Sequence, residues 1–248
     1  MSRSSGLLAG AAALVTAVHA APALTTIAPL RRRLLPALSG VGRPDHVALT
    51  FDDGPDPRST PAFLQVLRAH QVPATFFLLG SMVARAPGLT RELVDAGHEV
   101  AVHGWQHRCL LGRTPAGTYD DLARSRDLIA RITGQEPRWY RPPYGVLTAG
   151  AVHAARRLGL TPVLWTAWGR DWRARATADS VLATVRRTLG GGGTVLLHDS
   201  DCTAAPGAWR SALGALPRLI TGVRDQGCQL GPLAEHGLPA PRAGTPSA

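Results

Sequence analysis

Two carboxylates stand side by side in TFDDGPDP, Asp52 and Asp53, and Gly54-Pro55 turns the chain immediately after them. Taken alone, such an Asp-Gly turn reads as an ordinary surface loop. Adjacent like charges repel, and a bound cation relieves that repulsion, leaving one carboxylate as ligand and the other as base. HGWQH supplies partners for the ion: His103 and His107 are four apart, so on a helical turn both rings share one face and close on one metal. With Asp53 they make a three-ligand site with an open position, the arrangement of a catalytic rather than a structural zinc. The motif lacks the glutamate of H-E-x-x-H, so Asp52 is the candidate base. His98 precedes the strand and reads as structural.

RPPYG at 141–145 places Arg141 ahead of two prolines that stiffen the loop. Arg141 is a candidate partner that keeps Asp52 ionised, and the N–H of Tyr144 is a candidate donor to an oxyanion. In LLHDS, His198 has an ordinary pKa of about 6.5, suited to protonating a leaving amine. Leu196 shares the strand face of His198, where it lines a pocket for a methyl group. Asp171-Trp172 forms a further polar and aromatic pair after LWTAW.

These groups need elements to position them. VALTF at 47–51, ATFFLL at 74–79, EVAVH at 99–103, TPVLWT at 161–166 and GTVLLHD at 193–199 read as buried strands. Amphipathic stretches lie between them; Thr60 before Pro61 reads as an N-cap, and Gly97, Gly134 and Gly159 as helix ends. Alternating strand and helix implies parallel strands with right-handed crossovers, in a barrel or an open doubly wound sheet. The four polar clusters around Asp52, His103, Asp171 and His198 all fall at strand C-terminal ends, where active sites of such folds lie.

The 248 residues suit one α/β domain, and 45% hydrophobic with 18% charged residues excludes a mainly disordered chain. The net charge of +10, its Lys+Arg count made up wholly of arginine, lacks the aromatic interleaving that marks nucleic-acid binding. It suits an anionic membrane surface or envelope polymer, with a biased genomic composition as the plainer reading of the arginine richness. Near the start, an apolar run from Leu7 to Val18 ends at Val18-His19-Ala20, an A-x-A-like site, which points to export or to an anchoring segment. Residues 1–43 read as this segment plus a basic lead-in, 44–238 as the folded domain and 239–248 as a disordered tail. Among Cys109, Cys202 and Cys228, a Cys202–Cys228 bridge is open, with Cys109 free.

The ordered set TFDDGP, HxxxH, RPPYG, DW and LLHD, spanning Thr50 to Asp199, resembles the polysaccharide deacetylase family with the NodB-homology domain, carbohydrate esterase family four. The resemblance implies a distorted (β/α) barrel with fewer than eight complete units. It implies Asp52 as base, Asp53, His103 and His107 as ligands of Zn²⁺, with Co²⁺ or Ni²⁺ as alternatives, and His198 as acid. Arg141 then orients Asp52, while Trp172 and Leu196 shape the acetyl pocket. The implied activity is removal of N-acetyl groups from peptidoglycan or a chitin-like glycan; the N-terminal segment points to a secreted or envelope-associated protein, with a cytoplasmic one as the alternative. An O-acetyl esterase and a weakly catalytic envelope-binding module are the competing readings. Two positions depart from the family's pattern. Gly104 replaces a serine or threonine that buttresses the metal loop, and Trp168 stands where an aspartate tunes the acid histidine, so either Asp171 takes over that task or His198 titrates differently.

Overall fold

The computed structural model describes residues 3–239. Among them, eight short strands pair throughout in parallel: β1 (His46–Asp52), β2 (Thr75–Leu78), β3 (Glu99–Val102), β4 (Trp139–Tyr140), β5 (Thr161–Pro162), β6 (Ala167–Trp168), β7 (Thr194–His198) and β8 (Gln229–Gly231). The order is β5-β4-β3-β2-β1-β7-β6, with β8 beside the first half of β1, and β5 and β6 do not pair with each other. The sheet therefore curls into an incomplete barrel, as the family resemblance implies. Helices α1 (Arg3–Ala20) and α2 (Ala28–Leu34) precede it, and α3 (Thr60–His70), α4 (Gly80–Arg85), α5 (Pro87–Asp95), α6 (Pro115–Thr133), α7 (Ala149–Arg157), α8 (Ala178–Arg186) and α9 (Trp209–Arg224) surround it.

Strand alternation sorts β1 between two environments. Val47, Leu49 and Phe51 join the outer core under the helices, where the Phe51 ring stacks on Phe76 at 5.0 Å and meets Phe63 edge-on at 5.3 Å. Burying each such side chain contributes about 1.5–3 kcal/mol. Ala48 joins Phe77, Ala101, Trp139 and Val163 in a smaller inner cluster. Thr50 and Asp52 alternate onto that same inner side, so the residue pattern that builds the outer core also points the carboxylate into the barrel.

Several local expectations change. TPVLWT is a strand only at Thr161–Pro162, because side chains take its later carbonyls: Arg141 holds those of Val163 and Leu164, and Arg31 holds that of Trp165. Thr60 is not the N-cap; Ser59 precedes the helix, and the Thr60 hydroxyl instead donates to Asp199. HGWQH is not helical, and Gly104 sits at φ +94° in a loop. No cysteine bridge forms: Cys228 lies against the Pro44 carbonyl before β1 and Cys202 against the Asp53 carbonyl beyond it, so the strand separates them.

The lead-in is packed on the barrel. Arg31, 4% exposed, donates to the carbonyls of Thr25 (2.6 Å) and Trp165 (2.9 Å) and to Ser39 Oγ (3.2 Å). Further upstream, Leu14, Val15, Val18, Leu24 and Ile27 are exposed. No single described helix is long and apolar enough to cross a membrane; the segments Ala13–Thr26 and Ala28–Leu34 satisfy that criterion only together, bent by 92°. Of the expected tail, only Pro239 falls among the described residues.

Candidate active site

Asp52 ends β1 and Asp53 follows it at φ 80°, a left-handed conformation uncommon for a residue with a side chain and typical of functional turns. Gly54 then passes so close to the Asp199 carboxylate that a Cβ would not fit. The turn delivers Asp52 to Arg141, whose Nη1 donates to Asp52 Oδ1 at 2.7 Å and to Thr50 Oγ1 at 2.8 Å. The guanidinium is fully buried and lies 3.9 Å from the Phe77 ring centroid.

His103 leaves β3 with its N–H bonded to the Leu78 carbonyl. Its Nδ1–H donates to the Arg141 carbonyl at 2.8 Å, which fixes the tautomer and leaves Nε2 free. That Nε2 lies 3.4 Å from Asp53 Oδ1, and His107 Nε2 lies 3.8 Å from the same oxygen. The loop that brings the two rings together is held from α6: Asp121 Oδ2 accepts from Trp105 N at 2.7 Å, and Arg124 covers the Trp105 ring at 3.5 Å. A carboxylate thus braces the loop in which Gly104 carries no hydroxyl.

Asp53, His103 and His107 offer one ligand atom each within 4.8 Å of one another. Asp53 Oδ1 and His103 Nε2 are buried without hydrogen-bond partners, an arrangement that a cation satisfies. One carboxylate and two imidazoles are the donor set of divalent zinc and its neighbours. Burial opposes ionisation of Asp53, but the imidazoles of His103, His198 and His107 around it hold its carboxyl far below the usual range. Burial and the nearby His103 charge lower His107 to about 4, so this ring is neutral and ready to ligate.

His198 is the register partner of Asp52 across β1 and β7. Asp171, in the turn after β6, grips it twice, accepting from His198 N at 2.7 Å and meeting Nδ1 at 3.0 Å. Burial acts to lower the His198 pKa, yet Asp171, with Asp53 and Asp52 beyond it, pushes it up to about 10. Next to it, burial pushes Asp199 up to about 7.

Asp52, His103, His107 and His198 open into one cavity of about 220 Å³. Leu196 and Trp172 line it, and so does Tyr144, 61% exposed at φ 59° with its ring edge on His107 at 4.3 Å. Sequence reasoning did not assign Trp165, Trp168 or Thr203 to it. Trp168 stacks on Trp172 at 4.5 Å and 18°, and Trp165 lies 5.6 Å from Trp168. The signal was present in WTAWGRDW, whose three tryptophans make one wall.

Comparisons with known proteins bear on the family and the fold. Residues 39–163 match the family described as polysaccharide deacetylase. A chitooligosaccharide deacetylase of Bradyrhizobium sp. (strain ANU 289) is 39% identical over 197 residues, covering 76% of this chain and 89% of that protein. The peptidoglycan-N-acetylglucosamine deacetylase PgdA of Listeria monocytogenes is 34% identical over 182 residues, 73% of this chain and 36% of that protein. A solved family 4 carbohydrate esterase from Streptomyces lividans, in complex with acetate, superposes with a TM-score of 0.68 at 32% identity, covering 80% of this chain and 98% of that one. With the curled parallel sheet and its strand-end carboxylates and histidines, these matches establish that the chain belongs to the polysaccharide deacetylase family of hydrolases acting on N-acetyl groups.

Proposed function

We propose that this protein removes N-acetyl groups from an N-acetylglucosamine-containing glycan, peptidoglycan or chitin-like, using a divalent cation, Zn²⁺ before Co²⁺ or Ni²⁺, held by Asp53, His103 and His107. The observation that carries the reading is the pair of unsatisfied buried ligand atoms, Asp53 Oδ1 and His103 Nε2, beside the Asp52–Arg141 pair. A divalent cation bound there supplies Lewis-acid polarisation of the amide carbonyl and acidifies water.

The chain's own groups complete the reaction. Asp52, oriented by the Arg141 hydrogen bond at 2.7 Å, accepts the proton of the attacking water. The Tyr144 N–H stabilises the charge that develops on the acetyl oxygen. His198, held protonated by Asp171, delivers a proton to the departing sugar amine. Leu196 and Trp172 hold the methyl group and exclude bulk water. The peptidoglycan-deacetylating relatives, the apolar run from Leu7 to Val18 and the net charge of +10 support a place outside the cytoplasm, secreted or at the envelope.

Incubating the purified chain and Zn²⁺ or Co²⁺ with chitooligosaccharides and with peptidoglycan fragments tests the reading. Acetate release with a matching gain of free amine is expected; no release with any metal contradicts it.

A further inference from the structure

The segment after β7 brings one more side chain to the metal-type cluster. Thr203 Oγ1 donates to Asp53 Oδ2 at 2.5 Å. The other carboxylate oxygen, Oδ1, has no hydrogen-bond partner and faces both imidazoles, 3.4 Å from His103 Nε2 and 3.8 Å from His107 Nε2. The two oxygens of a fully buried carboxylate are thus divided, one taken by a hydroxyl and one left toward the histidines.

Thr203 is itself well placed to impose that division. Ser200 Oγ accepts from Cys202 N at 3.1 Å and donates to Asp56 Oδ2 at 3.1 Å. Asp201 pairs with Arg58 at 2.7 Å and accepts from Gly207 N at 2.5 Å, while Ala205 N donates to the Trp172 carbonyl at 3.2 Å. The loop is therefore pinned on both sides of Thr203. A threonine hydroxyl is also a neutral donor on a side chain stiff at χ1, so it orients the carboxylate without cancelling the charge a cation needs.

We propose that Thr203 is a positioning residue for the cation site, holding Asp53 to single-oxygen ligation through Oδ1 and so setting the affinity of the site for a divalent metal. The inference rests on the reading that Asp53, His103 and His107 hold a cation. Orienting partners of metal ligands commonly change affinity by about 10–100-fold.

The test uses the full chain, stripped with a chelator. Zn²⁺ affinity is measured by competition with a chromophoric chelator, and the Co²⁺ absorption spectrum reports ligand geometry. Absence of Zn²⁺ binding by the unmodified chain overturns the underlying metal reading and leaves this inference no basis. Given binding, Thr203→Val and Thr203→Ala are expected to weaken Zn²⁺ by about 10–100-fold and alter the Co²⁺ spectrum, with metal-free thermal unfolding little changed. Thr203→Ser is expected to restore both. Wild-type affinity in either the valine or the alanine variant overturns the proposal, as does a serine variant as weak as alanine.

Discussion

Asp52 and His198 occupy paired register positions on β1 and β7, yet each answers to a different counter-group, Arg141 for the carboxylate and Asp171 for the imidazole. One strand pairing thereby sets a carboxylate and an imidazole beside each other while separate partners hold them in place. The partners, rather than the reacting groups, are the informative places to perturb.

Arg141→Met is expected to lower both activity and stability. It strands a carboxylate that is 3% exposed and also frees the carbonyls of Val163 and Leu164. Breaking a buried pair costs about 3–5 kcal/mol, which for a chain of this size lowers Tm by about 6–20 °C. Calorimetry alongside acetate release checks it; an unchanged Tm contradicts the pairing.

Asp171→Asn is expected to move the alkaline limb of the pH profile to lower pH. The acid must be protonated, so activity falls as pH rises through the His198 pKa. Asp171 raises that pKa, and removing its charge lowers it. A cation on Asp53 offsets that carboxylate's contribution, so the loaded enzyme's limb lies below 10 even before the substitution. Measuring kcat against pH for both proteins decides; coincident limbs count against Asp171.

Chelation is expected to abolish turnover, and Zn²⁺, Co²⁺ or Ni²⁺ to restore it. His103→Ala should lose bound metal and reduce kcat by about 10³-fold or more, since the cation supplies several kcal/mol of transition-state stabilisation. Metal content by elemental analysis accompanies the assay, and wild-type turnover from a metal-free His103→Ala overturns the assignment.

Arg31→Ala is expected to raise KM several-fold with kcat changed by less than about twofold. The side chain holds the Trp165 carbonyl and lies 5.9 Å from the Trp165 ring centroid, against the aromatic wall of the cavity. Loosening that wall by about 1 kcal/mol corresponds to about a fivefold change in binding. An unchanged KM, whatever the Tm, removes Arg31 from substrate positioning.

Much of the strand framework was legible because β1, β2, β3 and β7 are long enough to show continuous apolar runs that end in polar residues. β4, β6 and β8 were not, since two or three residues carry no period. HGWQH was misread as a helical turn because spacing alone does not distinguish a helix from a loop that folds back at a positive-φ glycine. Thr203 and Arg31 were invisible for another reason: each acts across the fold, on Asp53 and on Trp165, through contacts that no local pattern encodes. Asp171 was legible as a polar residue at a strand end, but its double contact with His198 required the turn at Arg170, φ 52°, to aim it.

The carbonyls of Val163, Leu164 and Trp165 are consecutive, and guanidinium groups from two distant parts of the chain take all three. Between β5 and β6 the carbonyl side of the barrel wall is therefore riveted by side chains, while the amides of Val163, Leu164 and Thr166 bond the carbonyls of Tyr140, Leu38 and Thr194. A ladder resists opening one rung at a time, whereas such rivets let go together when an arginine withdraws. Amide protons of 163–166 are thus expected to exchange earlier than those of β1 or β7, placing the easiest opening of the barrel beside the tryptophan wall.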